Sequence, residues 1–378
     1  MKLKILVSNL SVLIMLSGLL TSCESKDKII TEATEALNNR DYLKTIEIIT
    51  SLKDKSIVES DTLSVLLSTA YYGLTIVPKK GIAVDCYDMD FLPDNRSVVF
   101  TDFSKGILYF YSYPSMEFEY SLELPDKAYN IDISPNGKYL AAALVNMTIA
   151  LYDLKEQKFI EPLRGHSQAV RDVVFKNDNL LFSCGNDRRV IAWDINKKEP
   201  IWKNRQNNKN IKSLQLSKDK TKLVTASNDG SACIINTEGD RLGIEELRVV
   251  HGDNYVNDAA ISPDNNIVIT VSGDGFVKIW DTNLEAVKKS IFMNEPLCSV
   301  SISDDGNFFM IGSNQNVYIF DLSSGLLMAK INAINMPIWS VGFVGNDTFA
   351  FANNSRFWQG KLLNRYQLLE EARKLVNN

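Results

Sequence analysis

The sequence predicts an all-β fold of seven similar units, with a helical segment before them and a helix after them. From about residue 82 one pattern recurs: an apolar strand, a turn resembling Ser-Pro-Asp-Gly, and a second apolar strand ending in Ser or Thr. A polar turn with Asp follows, and then an alternating strand that ends in an aromatic residue and Asp. The final aromatic position, or its equivalent, falls at residues 111, 152, 193, 235, 280, 320 and 358, so successive units are 41, 41, 42, 45, 40 and 38 residues apart.

The endings of the units identify the kind of repeat. The clearest copies end at Trp193-Asp194 and Trp280-Asp281, and Tyr152 and Phe320 occupy the same position in two others. Weaker copies place Tyr111, Ile235 and Trp358 there. The period near 40, the Trp-Asp endings and a Gly-His opening resemble the WD-repeat family. The resemblance covers about residues 82–362 and implies a seven-bladed β-propeller, which we place at residues 74–363.

One of the two histidines lies in the segment "LRGHSQAVRDVVF", where an exposed imidazole could act as a general base or a metal ligand. The resemblance implies a structural role instead, since WD repeats link a His, a Ser or Thr, an Asp and a Trp by hydrogen bonds. A neutral imidazole can donate from one nitrogen and accept at the other. In the third unit the matching residues are His166, Ser183, Asp187 and Trp193.

Other units match this set only in part. The fifth unit supplies Thr270, Asp274 and Trp280, but its histidine, His251, lies one residue earlier relative to its strand than His166 does. The role of His251 in a second chain therefore stays open. In the fourth unit Thr225 and Asp229 face Ile235 where Trp would stand, so apolar packing should hold that unit together.

The first 22 residues have the profile of a secretory signal. Lys2 and Lys4 precede a mostly apolar segment that is too short and too interrupted to indicate a membrane span. The sequence "LTSC" then resembles the bacterial lipoprotein signal box, which implies cleavage before Cys23 and acylation of that residue. An ordinary signal peptide followed by a chance cysteine is the alternative. We expect a protein anchored by lipid to a membrane of the bacterial cell envelope, inner or outer.

Helical patterns flank the repeats. Residues 23–73 predict helices that resemble a tetratricopeptide hairpin, with Gly73 as the end of the last one, and too few such hairpins are present for a peptide-binding array. Residues 364–378 predict a C-terminal helix. The last unit lacks a fourth strand, and Leu74 to Val77 could supply it. The apolar faces of the terminal segments should then pack together on the seventh blade.

The composition and motifs of the chain argue against nucleic-acid binding, metal binding and catalysis. The chain has 41 basic and 46 acidic residues and no long basic run, so nucleic acid is not an expected partner. Phosphate-binding loops and nucleophile elbows are absent from the sequence, and four dispersed cysteines beyond Cys23 favour buried free thiols. Asp85, Asp88 and Asp90 could meet over the channel, but solvated strand-end charges are the simpler interpretation. The sequence predicts no enzyme, cofactor or metal site.

A protein-binding surface remains. In each unit the residue after the first apolar position of the opening strand should lie at the mouth of the ring. These residues are Tyr87, Tyr129, Arg171, Lys212, Asn257, Cys298 and Trp339. Aromatic residues and Arg are enriched at interface hot spots, which favours a scaffold that binds protein partners on this face. Side chains that only fill the mouth, or an enzyme or small-ligand binder that uses the channel, are the alternatives.

Overall fold

The computed structural model describes residues 23–52, 54–76, 85–205, 207–332, 336–345, 347–353 and 356–377. The predicted signal peptide lies outside these residues. Five α-helices are described: α1 Cys23–Asn38, α2 Tyr42–Thr50, α3 Asp54–Val58, α4 Asp61–Thr75 and α5 Arg365–Asn377. Within the described part of the chain, no helix is both long and apolar enough to cross a membrane.

The strands form seven antiparallel sheets arranged as the blades of a propeller, which confirms the predicted fold class. In chain order they are β1 Met89–Phe91, β2 Ser97–Asp102, β3 Ile107–Ser112, β4 Phe118–Glu123, β5 Ala128–Ile133, β6 Tyr139–Leu144, β7 Thr148–Asp153, β8 Lys158–Arg164, β9 Val170–Asn177, β10 Leu180–Gly185, β11 Arg189–Asp194, β12 Glu199–Arg205, β13 Ile211–Leu216, β14 Lys222–Ser227, β15 Ser231–Asn236, β16 Glu245–Val250, β17 Val256–Ile261, β18 Ile267–Ser272, β19 Phe276–Asp281, β20 Ala286–Phe292, β21 Leu297–Ile302, β22 Phe308–Ser313, β23 Asn316–Asp321, β24 Leu327–Asn332, β25 Ile338–Val344, β26 Thr348–Asn353 and β27 Arg356–Lys361. Blades 1 to 6 each take four consecutive strands, and blade 7 takes β25, β26 and β27.

In several blades, the same side-chain hydrogen bonds stabilise the turn between the first two strands. In blade 2, Ser134 Oγ donates to Asn136 Oδ1 at 2.9 Å and accepts from the Tyr139 amide at 2.9 Å. The next residue, Gly137, has a φ of 70°, in the left-handed region where glycine carries no steric cost. Blades 4, 5 and 6 form the same hydrogen bond with Asp in place of Asn, so the "SPDG"-like sequence makes the same tight turn in these four units.

Apolar clusters seal every junction between adjacent blades. Between blades 2 and 3, for example, Ile149 and Leu163 pack against Val173 and Trp193. The ring closes in the same way, because Met89 and Phe100 of blade 1 share a cluster with Ala352 and Phe357 of blade 7. Stability of the ring therefore comes from side-chain packing between blades, with each blade hydrogen-bonded internally.

The terminal helices form one module, as their apolar faces predict. Leu368, Leu369 and Ala372 of α5 are buried against residues of α1, α2 and α4, including Ile46 and Leu67. The Arg365 guanidinium also donates to the Val58 carbonyl at 2.8 Å and forms an ion pair with Asp61 at 2.5 Å. Two faces that would otherwise meet water thus cover each other.

The predicted closing strand is wrong over Leu74 and Thr75, because α4 continues through both residues. Val77 lies outside the described residues. In place of that strand, α4 runs along β24 of blade 6, where Ser68 Oγ donates to the Met328 carbonyl at 2.5 Å. Its end reaches blade 7: the Tyr72 hydroxyl donates to the Lys361 carbonyl at 3.0 Å, and Ile76 is buried in the cluster between blades 6 and 7. Burial of these apolar residues favours continuing the helix. The helical module thus lies against blades 6 and 7, where the sequence predicted blade 7 alone.

Gly73 also does not end the helix. A Cβ at this position would lie 2.8 Å from the ring of Tyr42, so glycine leaves room for this ring of α2 against α4. The contact between the two helices explains a glycine that local sequence rules interpret as a stop.

Candidate interaction site at the channel mouth

His166 lies inside blade 3 and is fully engaged by neighbours. The Trp193 Nε1 donates to Ser183 Oγ at 2.8 Å, and Ser183 Oγ lies 2.7 Å from His166 Nε2. Since the indole can only donate, the serine hydroxyl is free to donate to Nε2, which leaves the proton of the imidazole on Nδ1. That nitrogen lies 3.0 Å from both carboxylate oxygens of Asp187. The structure thus brings the four predicted residues into one hydrogen-bonded chain.

The negative charge of Asp187, at the end of this hydrogen-bonded chain, is stabilised by hydrogen bonds from its neighbours. Burial alone would raise the pKa of Asp187, but the hydrogen bonds from His166 and from the Ser167 and Arg189 amides lower the pKa overall. The Ser167 amide donates to the carboxylate at 3.0 Å. With both ring nitrogens occupied and the side chain 1% exposed, His166 has no free position for a substrate.

His251 belongs to a second hydrogen-bonded chain, in which the two ring nitrogens exchange roles: Nδ1 faces the hydroxyl group and Nε2 faces the carboxylate. Its Nδ1 lies 2.7 Å from Thr270 Oγ1, which also accepts from Trp280 Nε1 at 2.9 Å. The Nε2 atom lies 3.7 Å from Asp274, too far for a hydrogen bond, and has no other partner in the described structure. Burial lowers the pKa of His251 to about 4, although Asp274 opposes this shift. The one-residue offset in the sequence therefore changes which nitrogen is used.

Blade 4 uses an asparagine that sequence reasoning missed. Asn207 Nδ2 donates to Ser231 Oγ at 3.1 Å, and the amide of Asn208 donates to Asp229 at 2.8 Å. The second contact reproduces the one between Ser167 and Asp187 in blade 3. The available signal was spacing, because Asn207 stands four residues before β13 just as His166 stands four residues before β9.

The predicted mouth residues share a backbone feature. In blades 2 to 7 the pairing of the first two strands skips one residue, which is a β-bulge. A bulged residue has no partner in the ladder, and its side chain can be redirected. The skipped residues are Tyr129, Arg171, Lys212, Asn257, Cys298 and Trp339. In blade 1, Tyr87 precedes β1 and its amide donates to Thr101 Oγ1 at 3.2 Å.

Four of these residues form a continuous surface with one that was not predicted. Trp339 stacks on Tyr87 with ring centroids 5.5 Å apart, and the Arg171 guanidinium lies 3.7 Å from the centre of the Tyr129 ring. Phe103 joins the two halves, 4.6 Å from Tyr87 and 4.8 Å from Tyr129. We call the surface Trp339–Tyr87–Phe103–Tyr129–Arg171 the aromatic arc; it crosses blades 7, 1, 2 and 3.

Phe103 lies in the turn after the second strand, a position that the repeat pattern describes only as polar. Its amide donates to the Asp85 carbonyl at 3.0 Å, and equivalent bonds in other blades come from Val145, Asn186 and Asn228. Aligning the units on this turn would have revealed Phe103 as the aromatic exception.

The other predicted residues are less available. Lys212 Nζ donates to Asn257 Oδ1 at 2.6 Å, and Asn257 Nδ2 donates to the Leu297 carbonyl at 2.7 Å. Cys298 is 7% exposed, and its Sγ lies 3.4 Å from Asn314 Oδ1. Asn257 and Cys298 thus contribute internal contacts. The other three cysteines beyond Cys23, namely Cys86, Cys184 and Cys233, are free and buried as expected.

A cavity of about 490 Å³ lies below the mouth, lined by Tyr87, Phe103, Tyr129, Arg171, Lys212 and Trp339 together with the inner strands. Its wall also contains carboxylates that link neighbouring blades. Asp88 accepts from the Ile131 amide at 3.0 Å, Asp172 from the Leu214 amide at 2.7 Å, and Asp258 from the Val300 amide at 2.8 Å.

The interpretation of Asp88 and Asp90 as solvated charges is therefore wrong. Asp90 accepts from the Ile133 amide at 2.9 Å, so both carboxylates fasten blade 1 to blade 2. Burial raises the pKa of Asp88 to about 7 and that of Asp90 to about 6, while the amide hydrogen bonds act in the opposite direction. Asp85 stays partly exposed, and its carbonyl accepts from Phe103. Across the described segments, His, Cys, Asp and Glu side chains form no group of three suited to a metal ion.

Three segments match the family model for the WD domain, G-beta repeat: residues 157–194, 198–236 and 244–281. Each segment joins the outer strand of one blade to the three inner strands of the next. The matched residues include both histidine chains and the blade with Asn207.

Several curated proteins are similar to part of this chain. The WD repeat-containing protein WDS homolog of Arabidopsis thaliana is 30% identical over 203 residues, which cover 51% of this chain and 38% of that protein. WD repeat-containing protein 89 homolog of Dictyostelium discoideum is 24% identical over 216 residues, 55% of this chain and 58% of that protein. Pre-mRNA-processing factor 19 of Oryza sativa subsp. japonica is 23% identical over 198 residues, covering 51% and 37%. The chain spans less than two thirds of each relative's length, and these matches support a WD-repeat β-propeller.

Proposed function

We propose that this WD-repeat propeller is a protein-interaction scaffold that binds its partners at the mouth of the central channel. The observation that carries the proposal is the aromatic arc, in which five side chains from four blades touch in sequence around the cavity. Stacked aromatic side chains and Arg supply large contact areas with few rotatable bonds, as interface hot spots do. The N-terminal helices serve as a spacer between the ring and the start of the chain.

A small-ligand site in the same channel is a second candidate, favoured by the volume of the cavity, which is within the range of ligand pockets. The cavity carboxylates argue for the scaffold, since Asp88, Asp172 and Asp258 already accept backbone hydrogen bonds. A group that fastens two blades together is poorly placed to move during a reaction.

Replacing Trp339 by Ala should weaken partner binding by about 1 to 4 kcal/mol, the range for a hot-spot aromatic residue. The change removes the ring that stacks on Tyr87. The matched control is Trp339→Phe, because the indole Nε1 has no hydrogen-bond partner within the described structure and a phenyl ring preserves the stacking. Proteins recovered by affinity purification from detergent-solubilised membranes should be lost with Trp339→Ala and kept with Trp339→Phe. Equal recovery with both variants would place the binding face elsewhere.

We also propose that lipid on Cys23 holds the scaffold on a membrane of the bacterial cell envelope. The support is the "LTSC" sequence after a basic and then apolar start. Several acyl chains on one residue hold a protein on a bilayer far more firmly than a single chain.

Changing Cys23 to Ser should move the protein from the membrane fraction to the soluble fraction and abolish labelling by a radioactive fatty acid. Cys86→Ser is the control, since that cysteine is buried in the ring and should not change the distribution. Wild-type protein that is soluble and unlabelled would contradict the anchor and favour an ordinary signal peptide.

A further inference from the structure

Two cations face the channel cavity without a carboxylate to neutralise them. Arg171 on β9 and Lys212 on β13 both line the cavity. In the described part of the chain, neither side chain forms a salt bridge. Arg171 stacks on Tyr129, and Lys212 donates to the neutral Asn257 and lies 4.6 Å from the centre of the Tyr255 ring. Most buried or half-buried cations have a partner of opposite charge, so this pair suggests a partner supplied from outside.

The two cations also disfavour each other. Burial lowers the pKa of Lys212, and the positive charge of Arg171 lowers it further. An anion bound between the two side chains would offset this repulsion. The positive charges of Arg171 and Lys212 therefore favour binding of a negatively charged group on the side of the cavity formed by blades 3 and 4.

The carboxylates of the cavity are not free to fill that role. Asp172 and Asp258 are held by the backbone amides of the neighbouring blades, and burial raises the pKa of both side chains. Each amide hydrogen bond orients its carboxylate toward the adjacent strand. The cations at the mouth stay uncompensated as a result.

The geometry around Arg171 suits a carboxylate beside an apolar group. A guanidinium that lies flat on an aromatic ring keeps the N–H groups at its edge for a planar, bidentate acceptor. The aromatic arc continues from Tyr129 through Phe103 to Trp339, which provides apolar area next to the charge. A long polyanion fits poorly, because the whole chain carries a formal net charge of −5.

We infer that the mouth binds a short acidic segment of a partner protein, with an Asp or Glu side chain between Arg171 and Lys212 and an adjacent apolar side chain on the aromatic arc. The inference rests on the proposed function and names the chemistry of the partner. A basic segment, which would have to pass these cations to reach the carboxylates below, is the opposite outcome.

A random heptapeptide library displayed on phage, panned on the purified full chain, tests this directly. We expect Asp and Glu to be enriched at least about threefold over the starting library, often next to an aromatic or aliphatic residue. The enrichment should disappear with R171Q/K212Q, which removes both positive charges and keeps a polar side chain at each position. It should persist with K203Q/K288Q, a control that removes the same charge from exposed outer strands.

The affinity of each selected peptide for the wild-type protein and its variants is then measured. Binding should fall by about tenfold or more with R171Q/K212Q or when the peptide Asp is replaced by Asn, and should weaken as ionic strength rises. The charge-reversed R171E/K212E should select Lys and Arg instead. Melting curves of all variants verify that each one is folded.

The possible results separate the inference from the proposed function. Lys or Arg enriched on the wild type, or acidic enrichment unchanged in R171Q/K212Q, would overturn the acidic partner. Peptides that bind through Trp339 without any acidic preference would overturn it too, while leaving the scaffold in place. A library that gives no peptide sensitive to any mouth residue would count against both.

Discussion

Trp193→Ala should lower the free energy of unfolding by about 3 to 5 kcal/mol, as expected for a large aromatic residue in a core. Trp193 is 0% exposed and packs between blades 2 and 3 with Leu163 and Val173. A Cβ on Gly165 would lie 2.8 Å from the indole, so the backbone is already closely packed around the ring. The truncation would leave a cavity at a blade junction and remove the donor to Ser183. Urea denaturation followed by circular dichroism measures the change.

Two companion variants separate volume from hydrogen bonding. Trp193→Phe keeps most of the packing and loses the indole donor, so its cost should be about 1 to 3 kcal/mol. His166→Ala should cost a similar amount, about 1 to 3 kcal/mol, because Ser183 and Asp187 would lose a buried partner. A loss below about 1 kcal/mol for Trp193→Ala would contradict the packing argument.

Deleting residues 365–378 should destabilise the helical module and leave the propeller folded. The deletion removes Leu368 and Leu369, and burying one such side chain contributes about 1.5 to 3 kcal/mol. It would also expose Ile46 and Leu67 to water. The blade junctions do not use α5, since none of their apolar clusters contains a residue of this helix. Limited trypsin digestion should therefore cut the helices before residue 76 much faster than in the full chain.

Point variants of α5 make the comparison sharper. Leu369→Ala should reproduce part of the protease sensitivity because its side chain is 3% exposed, whereas Tyr366→Ala should not, because Tyr366 is 69% exposed. Cleavage within the blades at the same rate as within the helices would show that the module and the ring unfold together.

Features that repeat along the chain could be predicted from the sequence. The period near 40 follows from units that each form one small sheet, and local rules for strands and turns apply equally to every copy. The chain from His166 to Trp193 also lies within one unit, so its four members could be matched by position. Asn207 escaped this matching because a different side chain performs the hydrogen bonding at the same spacing.

Some features depend on contacts between units or between distant parts of the chain, and local sequence patterns did not predict them. Asp88, directly before β1, looks like a surface charge within its own unit, and only the neighbouring blade provides the Ile131 amide that holds it. The end of α4 likewise depends on Lys361 and the cluster of blades 6 and 7, which lie almost three hundred residues away. No local pattern contains such partners.

The sequence by itself determined the number of units, the class of fold, the pairing of terminal helices and the positions that face the channel. Only the tertiary structure decided how those positions combine. The β-bulges redirect side chains toward the channel, and ring closure brings Trp339 of the last blade against Tyr87 of the first. Packing of the blades also places Arg171 and Lys212 in one cavity, where the nearby Asp172 carboxylate already accepts a backbone hydrogen bond. Local periodicity predicts the blade, but the aromatic arc exists only after the ring has closed, because its five side chains come from blades 7, 1, 2 and 3.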